Sequence, residues 1–249
     1  MKLKKIASLM LAGVMAVGML TACGGNANSN NGGASSDDTT TTRGYSAVLG
    51  DALKDVAAVK DKDYITFQDN SADETALKGA LNNLSESSLK TLAGHATAWS
   101  IENSSLPDVE KVENAFVDAA KINDPSKNLN AADVDMEWYA GYKGGNTTMV
   151  NTGAKEGVLY VVNGAVGINE AVKQVAEQLK NELSGDNALT EKSASAKVAG
   201  SSSGNASYKY EYVISVSVAE KALDSTYTGA ANSAIFIAVT VTRTIVDGI

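Results

Sequence analysis

The chain has 249 residues, with 21 basic and 29 acidic side chains and one histidine, for a formal charge of −8. An acidic chain without a basic stripe lacks the electrostatic footprint of a nucleic-acid-binding protein, so nucleic acid is not an expected partner. A single cysteine, Cys23, allows no intramolecular disulfide, and one cysteine with one histidine cannot supply an ordinary zinc site.

The first residues form a distinct segment. Lys2, Lys4 and Lys5 precede an apolar run from Ile6 to Leu20 that Ser8 interrupts. A membrane-spanning helix needs about 20 apolar residues to cross roughly 30 Å of hydrocarbon, and this run is shorter. It fits the hydrophobic region of a signal peptide, followed by small residues. It ends in Leu20-Thr21-Ala22-Cys23, which resembles the lipobox of bacterial lipoproteins.

The resemblance covers residues 1–25 and implies cleavage before Cys23 and a diacylglyceryl group on its thiol. It also implies a lipid-anchored location on the outer side of the cell membrane. No cofactor is expected beyond that covalent lipid. Two acyl chains anchor durably, where one is marginal. Loss of residues 1–22 removes three lysines and no acid, which takes the formal charge from −8 to about −11. Such a domain gains nothing from an anionic membrane surface, which leaves the lipid as its tether.

Residues 24–44 are Gly, Asn, Ser, Asp and Thr with almost nothing apolar. Such a composition cannot offset its ordering entropy and reads as a flexible stalk with about 25 Å of reach. Residues 45–249 then read as one domain. Tyr45 to Val59 carries Val48, Ala52, Val56 and Val59 on one helical face. Tyr64 to Phe67 reads as a short strand. Ser71 and Glu74 have capping-box spacing at the start of a helix with the stripe Leu77, Ala80, Leu81 and Leu84, which Gly94 closes. Thr97, Trp99 and Ile101 alternate as in a strand. Pro107 suits the first turn of a helix that buries Val109, Val112, Phe116 and Ala119.

The second half is richer in sheet. Val134, Met136, Trp138, Ala140 and Tyr142 alternate with Asp133, Asp135, Glu137 and Tyr139, a half-buried strand. A turn at residues 144–146 leads to a short strand near residues 148–151. The unbroken apolar run Val158–Val162 predicts a strand covered on both faces. Asn169 begins a helix with Val172, Val175, Leu179 and Leu183 on one side. Residues 186–207 are a low-complexity connection, long enough for a mobile loop. Two long strands close the chain, with Tyr208, Tyr210, Tyr212, Ile214, Val216 and Val218 on one face of the first, and Ile235, Ile237, Val239 and Val241 on one face of the second. The class is α+β: a mixed, mainly antiparallel sheet of about five to six strands packed by three to four helices.

The catalytic and metal-binding patterns in the chain are each incomplete or out of place. Gly200-Ser201-Ser202-Ser203-Gly204 has the letters of a nucleophile elbow but sits in low-complexity sequence, not on a strand-to-helix turn. Ser87-Ser88-Leu89-Lys90 and Ser126-Lys127-Asn128 match two motifs of penicillin-binding enzymes, but the third candidate, Asn151-Thr152-Gly153, lacks its lysine. Asp133, Asp135 and Glu137 fall on the wet face of a strand, with Trp138 where a calcium loop needs glycine. Gly164 to Gly167 reads as a plain strand-to-helix turn whose free amides suit an anion. His95 reads as a strand-edge residue, although a Ser-His-Asp arrangement assembled from distant positions stays open.

Aromatic faces remain. Tyr139, on the polar face of its strand, with Trp138 and Tyr142, is the candidate ligand-binding group. The resulting reading is a non-catalytic binding or interaction module on a lipid anchor, with the membrane and an envelope protein or glycan as partners. The alternatives are a solute-binding lipoprotein of a transporter, which the Ala22-Cys23-Gly24-Gly25 junction resembles, and an enzyme acting on the cell envelope.

Overall fold

The structure is a computed structural model of the chain and describes residues 44–101, 104–122, 154–183, 189, 191, 196–197, 205–206, 208–224 and 232–248. In chain order these residues form α1 (Tyr45–Leu53), β1 (Ile65–Phe67), α2 (Ser71–Ala80), α3 (Glu86–Leu92), β2 (Trp99–Ser100), α4 (Pro107–Ala120), β3 (Ala154–Asn163), α5 (Ile168–Glu182), β4 (Ala196–Lys197), β5 (Asn205–Ala206), β6 (Tyr208–Ala222) and β7 (Ser233–Gly248).

Five strands join in one sheet of order β1-β6-β7-β3-β2, while β4 and β5 pair separately. Among the described strands only the β1–β6 pairing is parallel. The class is α+β, as the sequence pattern predicts, with five α-helices among the described residues in place of three or four. The long β6–β7 pair supplies the centre of the sheet. Both strands are rich in β-branched residues, which fit a pleated, buried surface.

Successive strand residues face opposite sides, so each strand feeds two cores. On β3, Val158, Tyr160 and Val162 enter one apolar layer, and Leu159 and Val161 enter the other. The first layer is covered by Leu49 and Leu53 of α1 and by Val172, Val175 and Leu179 of α5. The second is covered by Leu77 of α2, Leu89 of α3, and Val112 and Phe116 of α4. The Val158–Val162 run is therefore covered on both faces, as its unbroken apolarity predicts.

Four local expectations shift. The helix expected over 45–59 ends at Leu53. The chain continues in tight turns, with Val56 N donating to Leu53 O and Val59 N to Val56 O, and Val59 still reaches the core. Asn70, not Ser71, caps α2, because its side chain accepts from the amides of Ala72 and Asp73. Glu74 pairs with Lys78 rather than reaching back to the cap. The helix then breaks at a 3-10 turn, Leu81–Asn83, and Ser85 caps α3 afresh, yet all four predicted stripe residues are buried. In α4, Ala120 takes the buried place expected for Ala119, which is exposed. The helical repeat carries the buried stripe from Phe116 to the residue four positions on.

Asp108 ties the two helix starts together. Its carboxylate accepts from the Ser88 hydroxyl and, at 2.7 Å, from the Ser85 amide. Partial burial pushes this carboxyl up, but the bonds from Ser88 and Ser85 outweigh it and bring it down to about 2. A carboxyl depressed in the folded state stabilises above its unfolded value near 4, and that contribution fades as pH falls toward 2. Asp108→Asn is expected to cost about 1 kcal/mol at neutral pH after allowance for solvent screening, and nothing near pH 2. Urea denaturation at both pH values checks this.

Candidate functional site: the groove beside the outer strand

Among the described residues β1 lies at one edge of the sheet, with β6 as its one neighbouring strand. Tyr212 N donates to Tyr64 O at 2.8 Å, and Gln68 N donates to Ile214 O at 3.0 Å. Residues 64, 66 and 68 thus face β6, and the alternation of a parallel ladder turns the backbone groups of Ile65 and Phe67 outward. Ile65 N is taken up by Lys62 O at 3.3 Å.

A groove of about 580 Å³ runs along this edge. Val59, Ile65 and Phe67 give it an apolar floor, while Lys54, Asp61, Lys62 and Asp63 stand exposed at its rim. Gly50 fixes the far wall. A Cβ there would lie 2.8 Å from Cγ of Phe67, so glycine lets α1 close against the ring. Asp61 turns the chain with φ 58°, a left-handed conformation that aspartate tolerates better than most residues. An outward backbone edge beside an apolar floor matches the requirements for adding an extended segment as a further strand.

The opposite edge carries His95. Its ring stacks on Trp99 with centroids 4.2 Å apart and planes 8° from parallel, and its carbonyl accepts from Asn163 N at 2.7 Å. Among the described residues no serine or carboxylate hydrogen-bonds to the ring, so no Ser-His-Asp arrangement is assembled there. Burial lowers its pKa below 6.5. A base depressed on folding stabilises fully above its unfolded value and loses that contribution as pH falls from about 6.5. His95→Phe should therefore flatten the decline in stability between about pH 6.5 and pH 5, as read from denaturation midpoints.

Charged side chains also enter both cores at one end of the sheet. In the first layer Arg243 is 1% exposed, with its guanidinium 4.5 Å from the centre of the Tyr210 ring. Tyr212 and Glu156 are buried on the same face. In the second layer the Lys155 ammonium donates to Asp73 and, at 2.8 Å, to Ala120 O, and Thr240 donates to the other Asp73 oxygen at 2.7 Å.

Tyr210 and Tyr212 are fully buried, so they pack the core and are closed to a sugar or a partner protein. Ser87 and Lys90 lie on α3, where the Ser87 hydroxyl shares a hydrogen bond with that of Ser85. The turn at Gly164–Val166 spends the Ala165 amide on its own Asn163 side chain. Cys23, Trp138, Tyr139 and Tyr142 lie outside the described residues, as do Asp133, Asp135, Glu137, Ser126 and residues 200–204. Neither the groove nor the buried Asp73–Lys155 pair is anticipated from sequence. Gly50 and the alternating Lys60-Asp61-Lys62-Asp63 run are the local traces of the groove. Comparison with protein-family models, curated proteins and solved structures finds no match.

Proposed function

We propose that the chain is a lipoprotein held on the outer side of the cell membrane through Cys23, and that its domain is a non-catalytic binding module for an envelope protein or glycan. The groove beside β1 carries this reading, because it joins an outward backbone edge to an apolar floor and a rim of both charge signs. The anchor rests on Leu20-Thr21-Ala22-Cys23 and the apolar run before it. An extended protein segment suits the groove, since main-chain hydrogen bonds supply affinity and the floor supplies selectivity. Tyr139, with Trp138 and Tyr142, is the proposed contact for a stacked ligand such as a glycan.

Two measurements test this. Cys23→Ser should abolish labelled-palmitate incorporation and release the protein from the membrane fraction; retention in the membrane would defeat the anchor. The chain from Gly24 onward, immobilised, should retain an envelope protein or a cell-wall glycan. Retention lost on the Lys54→Glu/Lys62→Glu pair assigns the groove, and retention lost on Tyr139→Ala assigns the aromatic group. Binding unchanged in both variants would remove both contact sites.

A further inference from the structure

The Lys155–Asp73 pair has more than the geometry of an ion pair. Its side chains are 15% and 1% exposed, and it lies at the end of the layer built from Ala76, Leu77, Ala120, Leu159 and Phe236. Asp73 belongs to α2 and Lys155 to β3. Each partner is held from a second direction. Ala120 O accepts from Nζ and fixes the amine, and the Thr240 hydroxyl donates to the carboxyl oxygen that does not meet the lysine. A nucleophile and an electrophile held together out of water form an arrangement of high effective molarity.

We propose that Lys155 and Asp73 condense into an intramolecular amide that cross-links α2 to β3. The step needs no oxidant, reductant or co-reactant. The proton on Nζ that bridges to Oδ1 passes to the carboxylate, giving a neutral amine and a carboxylic acid. The Nζ lone pair then attacks Cγ. Charge developing on Oδ2 is met by the Thr240 hydroxyl, in the manner of an oxyanion-hole donor. The Cγ–Oδ1 bond breaks, and Oδ1 leaves with the acid proton and one proton from Nζ. The net change is one N–C bond made, one C–O bond broken and one water released. In a chain whose one cysteine precludes an internal disulfide, this amide is a covalent cross-link built from other side chains.

The test is the mass of the full chain carrying Cys23→Ser, which removes lipid heterogeneity. The expected mass is one water below that of the sequence. Trypsin should then yield a branched peptide joining residues 63–78 to residues 144–173, uncut after Lys155. Lys155→Arg, which keeps the charge but cannot form this amide, should return the mass to its full value. A wild-type chain at full mass that is cut after Lys155 would overturn the proposal, as would a loss of water that persists in Lys155→Arg.

Discussion

Replacing Arg243 with alanine should destabilise the fold by about 3–5 kcal/mol, the range seen when one member of a buried charged pair is removed. Arg243 is the largest fully buried side chain among the described residues. Two losses combine. The Tyr210 ring loses the cation over its face, and Glu156 loses a positive neighbour. The register places Ala154 opposite Arg243 and Glu156 opposite Val241, so Glu156 and Arg243 are diagonal neighbours on one face of adjacent strands. Long side chains reach across such a diagonal. Arg243→Lys should recover part of the loss, since it keeps the charge but not the flat stacking surface. The double variant Arg243→Met/Glu156→Gln should lie well above the sum of its single changes. Urea denaturation of the four proteins reads the coupling directly. An additive result would show that Glu156 and Arg243 act independently.

The strands that carry Arg243 and Glu156 are legible in the sequence. Alternation across residues 208–218 and 235–241 announced two long strands, and the run Val158–Val162 announced a strand buried on both faces. In each case one residue's neighbours along the chain report its environment. Alternation also put Tyr210 and Tyr212 on an apolar face, and the structure buries them there. Pairwise meetings are different. Thr66 donates its hydroxyl to Tyr212 O across 146 positions of sequence, and no local pattern in either segment specifies that meeting. The groove beside β1 depends on that placement. At the start of α2 two local signals compete. Asn70 and Ser71 are both good N-caps, and Ser71–Glu74 matched the capping box. Asn70 takes the place, its side chain accepting from the amides of Ala72 and Asp73, while the Asp73 carboxylate turns inward to Lys155 and Thr240.

That inward turn leads to the second large expected effect. Asp73→Leu/Lys155→Met replaces both charged side chains with apolar ones of similar reach. For a plain buried ion pair such a replacement is often neutral or stabilising, because two desolvated charges disappear together. For an amide the outcome is the reverse. A cross-link between positions 82 residues apart removes loop-closure entropy from the unfolded chain. By the relation used for disulfides, this contributes about 4–5 kcal/mol. The double variant should therefore unfold about 4 kcal/mol more easily than the parent, with apolar packing at the site unable to restore what the unfolded ensemble has regained. Its slope against denaturant should also rise, since an unlinked chain exposes more surface when it unfolds. Equal or greater stability in the double variant, with an unchanged slope, would return Lys155 and Asp73 to the role of an ion pair. The comparison works because it removes both partners: either single change strands a buried charge and lowers stability whichever bond joins the two.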